Sequence, residues 1–138
     1  MVDSTDRIII KCLEENARTS FAELGRMVSL TPSSVRERVK RLEDSGVIRK
    51  YTIEVDSAQL GFGMEAFIVV KLRSGTLKSF TSLIDTWDEI QEAYRITGEH
   101  NIQMRVVLKD QLHLQSFIDE MLKYGDPTTS LILSKVKA

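Results

Sequence analysis

Ser20-Phe21-Ala22-Glu23-Leu24-Gly25-Arg26-Met27-Val28-Ser29-Leu30-Thr31-Pro32-Ser33-Ser34-Val35-Arg36-Glu37-Arg38-Val39-Lys40-Arg41-Leu42-Glu43-Asp44 holds two helix starts within twelve residues, and that doubling decides how the front of the chain folds. Ser20 and Glu23 have the spacing of a capping box, in which each side chain satisfies an amide group that the helix leaves unpaired. Leu24, Met27 and Val28 extend an apolar stripe, and the helix should stop near Ser29. Thr31-Pro32 repeats the start signal: Thr caps, and Pro suits the first helical position because its missing N–H would have no partner there. This next helix runs to about Asp44, with Gly46 as its stop and Val35, Val39 and Leu42 at i, i+4 and i+7. Upstream, Ile9, Ile10, Cys12 and Leu13 recur at helical spacing after Asp3, which caps, while Asp6 lies in the positive first turn of a helix from about Ser4 to Glu15. Two helices joined by a tight turn on a supporting helix make a helix-turn-helix candidate.

On a wheel of about 100° per residue, Ser33, Glu37, Lys40, Arg41 and Asp44 oppose the apolar stripe of the third helix, with Ser34, Arg36 and Arg38 on its flanks. From Ser33 to Lys50 there are six basic residues (Arg36, Arg38, Lys40, Arg41, Arg49, Lys50) against three acidic ones (Glu37, Glu43, Asp44). A recognition helix needs this arrangement. An α-helix fits the B-DNA major groove, short side chains at its start permit close approach, and cations meet phosphates or guanine edges. An ordinary solvated helix carries similar charges; the doubled cap and the adjacent Arg49-Lys50 favour DNA. Glu37 can accept from a cytosine amino group or hold Arg41 through an i, i+4 pair.

Beyond the helices, Ile48, Tyr51, Ile53 and Val55 alternate, as a short strand pair or an extended connector would. Ser57 to Gly63, with two close glycines, breaks the pattern, giving a head over 1–56, a linker over 57–63 and a body over 64–138. The body alternates strand and helix signals: Met64–Leu72, Glu92–Thr97, Ile102–Leu108 and Thr128–Lys135 as strands, Leu77–Thr86 and Gln111–Lys123 as helices. The order β-α-β-β-α-β describes a ferredoxin-like sandwich, so the fold class is α+β, a winged helix-turn-helix followed by that sandwich. Ala66, Ile68, Val70 and Leu72 share one face of the first strand and Phe67 and Val69 the other, so the second sheet face asks for a cover such as another subunit. Phe67, Phe80, Met104, Phe117 and Met121 have core spacing, and Trp87 is placed to support a junction.

The whole chain has 138 residues and a net charge of −1, with ten basic and ten acidic residues in the head and nine and ten in the body. No global basic field draws it to nucleic acid or membrane, so binding depends on a local patch. Its apolar runs are far shorter than the roughly 20 residues that span a bilayer. The N-terminus lacks a signal pattern, which suggests an unexported, cytoplasmic protein. Cys12 is the only cysteine and His100 and His113 the only histidines, which excludes an internal disulfide and leaves little for a zinc site. No phosphate loop or nucleophile motif is present, so the expectation is a non-enzyme without a cofactor.

Asp3-x-x-Asp6-x-x-Ile9-Ile10-x-x-Leu13, Arg18-x-Ser20-x-x-Glu23-Leu24-Gly25, the run from Leu30 to Glu43, Gly46-Val47-Ile48, Tyr94-Arg95-Ile96-Thr97-Gly98 and the closing stretch Thr128–Val136 together resemble the Lrp/AsnC family of transcription regulators. The resemblance covers nearly the whole chain. It implies homodimers through the body sheets, assembly up to octamers, double-stranded DNA as partner in the nucleoid, and amino-acid effectors at clefts between subunits. The family's turn after the second body strand commonly reads Gly-x-x-Asp; here it is Gly98-Glu99-His100-Asn101, the candidate effector loop. Asn101 lacks a carboxylate for an ammonium group, though its amide oxygen still accepts a hydrogen bond.

The expected function is sequence-selective regulation of transcription. Arg36, Arg38, Lys40, Arg41, Arg49 and Lys50 supply phosphate contacts, and Ser33, Ser34, Glu37 and one or two of the arginines read base edges. An architectural protein that bends or wraps DNA is the alternative, and a metabolite-binding module whose head docks protein is a third. Sirohaem decarboxylases share the two-domain layout, and on that remote resemblance His100 is the residue to suspect.

Overall fold

The computed structural model describes residues 1–138. It divides into two compact units, Met1–Glu54 and Val55–Ala138.

Three helices make the first unit: α1 (Ser4–Glu15), α2 (Phe21–Val28) and α3 (Pro32–Asp44). The reciprocal capping box forms at α1, where Asp3 accepts from the Asp6 N–H at 2.8 Å and Asp6 from the Asp3 N–H at 3.1 Å. At α2 only half of the expected box forms: Ser20 accepts from the Glu23 N–H at 3.1 Å, and no return bond from Glu23 is made. Ser29 ends α2 in the left-handed region at φ 57°, and the Leu30 N–H turns back to the Gly25 carbonyl at 2.9 Å. A Cβ at position 25 would lie 2.4 Å from the Leu30 oxygen, so the tight turn before α3 requires glycine there. Thr31 then caps α3 by accepting from the Ser34 N–H.

Ile9, Leu24, Val35 and Val39 form the buried centre of this unit, with Cys12, Leu13, Val28, Leu30 and Ile48 packed around it. Met27, expected on the α2 stripe, is 62% exposed and meets the Cys12 thiol at 3.3 Å. Residues 49–56 contain no strand. The alternating stretch is therefore an extended connector, and the wing of the expected fold is not formed as a strand pair. In this connector burial first, and then the nearby Glu43 carboxylate, raise the pKa of the Tyr51 hydroxyl.

The second unit begins with a short 3-10 turn at Ser57–Leu60 and continues as β1 (Met64–Leu72), α4 (Leu77–Leu83), β2 (Ile90–Arg95), β3 (Ile102–Leu108), α5 (Gln111–Leu122) and β4 (Gly125–Leu131). Its antiparallel sheet has the order β2-β3-β1-β4. Ala66, Ile68 and Val70 of β1 and Ile102, Met104, Val106 and Leu108 of β3 pack with Phe80, Phe117 and Met121 of the two helices in one core. Trp87 and Tyr124 close around Phe80, with ring centroids 5.3 to 5.6 Å apart, so Trp87 does support a junction. Phe67 departs from the expected packing: it lies on the opposite face, 44% exposed, opposite Arg105 in the sheet register.

The closing strand starts three residues earlier than its sequence signal and stops at Leu131. Pro127 hides the earlier start, because proline reads as a strand breaker; β4 is an edge strand, where a missing N–H is tolerated. Gly125 is also required, since a Cβ there would sit 2.2 Å from the Lys71 oxygen.

Candidate nucleic-acid interface

With Val35, Val39 and Leu42 buried, α3 turns its other side to solvent. There an open groove of about 570 Å³ is lined by Leu30, Ser34, Glu37, Arg38, Lys40, Arg41 and Asp44. Ser33 stands exposed at the start of the helix, Arg36 is exposed on the far flank, and Arg49 and Lys50 are exposed in the connector. The Thr31 hydroxyl donates to the Ser34 hydroxyl at 3.0 Å and lies 3.2 Å from that of Ser33. The first turn thus presents a compact cluster of short polar groups, the kind of surface that lets a helix approach base edges. Arg36, Lys40, Arg41, Arg49 and Lys50 take part in no ion pair and keep their donors for an incoming anion.

Arg38, also counted among the expected DNA contacts, is placed differently from these cations: it lines the groove and is held within the chain. Its Nη1 donates to Asp3 at 2.7 Å and to Asp6 at 3.0 Å, so the guanidinium is turned onto the N-terminus of α1. Asp6 is only 4% exposed, and a buried carboxylate is costly unless paired and hydrogen-bonded. The Asp3 N–H and Arg38 meet that need together. The hydrogen bond from Arg38, followed by that from the Asp6 N–H, holds the Asp3 pKa at about 2. Arg38 is a clasp between helices; Leu30 and Asp44 line the groove in places that basic-residue counting did not mark.

Each half of the chain matches a family model: the AsnC-type helix-turn-helix domain over residues 2–43 and the Lrp/AsnC ligand binding domain over residues 65–138. The chain belongs to the Lrp/AsnC family. It is a transcriptional regulator with a DNA-binding helix-turn-helix domain and a ligand-binding domain. The HTH-type transcriptional regulator FL11 of Pyrococcus abyssi is 36% identical over 118 residues, 86% of this chain and 78% of that one. The solved structure of Bacillus subtilis LrpC matches with a TM-score of 0.93 at 32% identity, over 100% of this chain and 99% of that one. The complex of transcriptional regulator NMB0573 with L-Met, from Neisseria meningitidis, matches at 0.91 and 28% identity, over 100% and 94%.

In this Lrp/AsnC regulator the Gly98–Asn101 turn is a closed hairpin end. Gly98 takes φ 102°, Glu99 lies 3.7 Å from Lys71, and His100 is half-buried. Asn101, just before β3, is tied to β1: its N–H donates to the Val70 carbonyl at 3.0 Å and its Oδ1 accepts from the Leu72 N–H at 2.8 Å. The amide oxygen expected to be open to an effector is therefore engaged. A separate groove of about 490 Å³ runs along β2 from Thr81 to Ile102, and none of Gly98 to Asn101 lines it. His113 has both ring nitrogens engaged: Nδ1 lies 2.9 Å from the Lys109 N–H and Nε2 2.9 Å from Glu89.

Proposed function

We propose that this regulator binds a pseudo-palindromic DNA site as a dimer or higher even oligomer, with α3 of each head in a major groove. Arg36, Lys40, Arg41, Arg49 and Lys50 supply phosphate contacts, while Ser33, Ser34 and Glu37 face base edges; Arg38 positions α3 without touching DNA. The observation that carries this reading is the outward groove on α3, where Lys40 and Arg41 are paired with no carboxylate of the chain. Two-fold symmetry sets half-sites about one helical turn, or a multiple, apart.

The open sheet face, with Phe67 and Tyr94 44% and 58% exposed, supports pairing of bodies into a homodimer, and octamers are the further assembly we expect. The DNA-reading unit is residues 1–56, joined through 57–63 to the pairing and effector unit at 64–138. Its place of action is the cytoplasm, on the nucleoid. An amino acid is the effector class, by likeness to the relative solved with L-Met, and the Gly98–Asn101 loop, completed by a neighbouring subunit, is where it would act.

Selection of genomic fragments by the purified chain, followed by footprinting at low and moderate salt, tests this. Short protected sites in one-turn register are expected, with affinity falling steeply as salt rises. Absence of any bound fragment at low salt overturns the reading, and extended protection with periodic cutting replaces it with an architectural role.

A further inference from the structure

Glu37 lines the α3 groove, on the side of the helix opposite the buried Val35 and Val39. Helix spacing offers it Arg41 at i+4 as a partner. No ion pair forms between them, and no ion pair elsewhere in the chain includes Glu37. Arg38, which also lines the groove, is held by Asp3 and Asp6. An unpartnered carboxylate thus sits where a polyanion has to approach.

A carboxylate only accepts hydrogen bonds, and phosphate repels it. The major groove offers it few partners. Guanine N7 and O6, adenine N7 and thymine O4 are all acceptors; the donors are the N4 amino group of cytosine and the N6 amino group of adenine. Adenine places its N7 acceptor beside N6, so the second carboxylate oxygen meets a repulsive edge. Cytosine has only a C–H beside N4. We infer that Glu37 is a specificity-determining residue that selects a C·G pair at one fixed position of each half-site by accepting from cytosine N4. Elsewhere on DNA it weakens binding, because the α3 surface then presses a carboxylate against acceptors or phosphate. This inference rests on the proposed placement of α3 and adds the base that it reads.

The test is selection from a randomised duplex library by the full chain, by Glu37→Gln and by Asp44→Asn. Wild type is expected to enrich a fixed cytosine in each half-site. Glu37→Gln should move that position to adenine, since Gln pairs with adenine N6 and N7, changing the C-to-A preference by about tenfold or more. Asp44→Asn removes the same charge from another residue lining the groove, about two helical turns along α3, and should leave the cytosine in place. If Glu37→Gln enriches the wild-type sequences and only tightens binding to all duplexes, the assignment is overturned. It is also overturned if Asp44→Asn shifts the same position. A wild-type consensus without a fixed cytosine overturns the Glu37 assignment alone; no consensus at all overturns the sequence-reading function together with it.

Discussion

The two units of this chain are held together by different physics. The body buries ten side chains in one core centred on Phe80, with Trp87 and Tyr124 packed about it. The head buries four at its centre and adds polar fastenings: the Asp3/Asp6 box, the Ser20 and Thr31 caps, and the Arg38 clasp. A small helical domain that must leave one helix face open for a ligand has little apolar surface left for its own cohesion. Its charged groups then serve two purposes, and Arg38 and Arg41, three residues apart on α3, show the division. Arg38 secures the fold and Arg41 faces outward.

The contrast predicts unequal responses to mutation. Phe80→Ala should cost about 3–5 kcal/mol, because a fully buried aromatic side chain leaves a cavity. Chemical denaturation followed by NMR should show the loss in body resonances, and equal loss in both units would contradict the division. Gly25→Ala should destabilise the head by about 1–3 kcal/mol, since its methyl group is forced against the Leu30 carbonyl. Head amides should lose hydrogen-exchange protection while body amides keep theirs.

Asn101→Ala should cost about 1 kcal/mol by leaving the Leu72 N–H without its acceptor. Asn101→Asp keeps an acceptor and should be nearly neutral for stability, while its new charge alters amino-acid affinity. Calorimetry that finds no such change removes position 101 from the effector site.

Acid gives the smallest effect. Asp3 has its pKa held at about 2 against an ordinary 3.8, so it binds protons more weakly in the folded state. Its contribution is complete above about pH 4 and is lost as pH falls through about 2. Arg38→Gln should lower head stability at neutral pH and flatten this acid dependence; an unchanged acid profile would exclude the clasp as its source.

Local signals made much of this architecture legible. Asp3, Ser20 and Thr31-Pro32 announced the three helices because caps act over three or four residues, and the alternation in Met64–Leu72 marked β1 and its buried face. What escaped depends on partners distant in sequence. Arg38 meets carboxylates 32 and 35 residues away, so its place on the flank of α3 did not set it apart from Arg36. Phe67 has core character but faces the open side of the sheet, and only the register shows Gly125-Asp126-Pro127 paired with β1. Asn101 likewise marks a turn in sequence, while its side chain closes the end of β1.

The claim that α3 binds DNA through its outward cations, with Arg38 withheld, is tested most directly by the salt dependence of DNA affinity. For the full chain on its selected site, Lys40→Ala should reduce the slope of log affinity against log salt by about one for each engaged head. Arg38→Gln, measured where the head is still folded, should leave that slope unchanged. The reverse pattern, with Arg38→Gln flattening the slope and Lys40→Ala leaving it intact, would contradict the account.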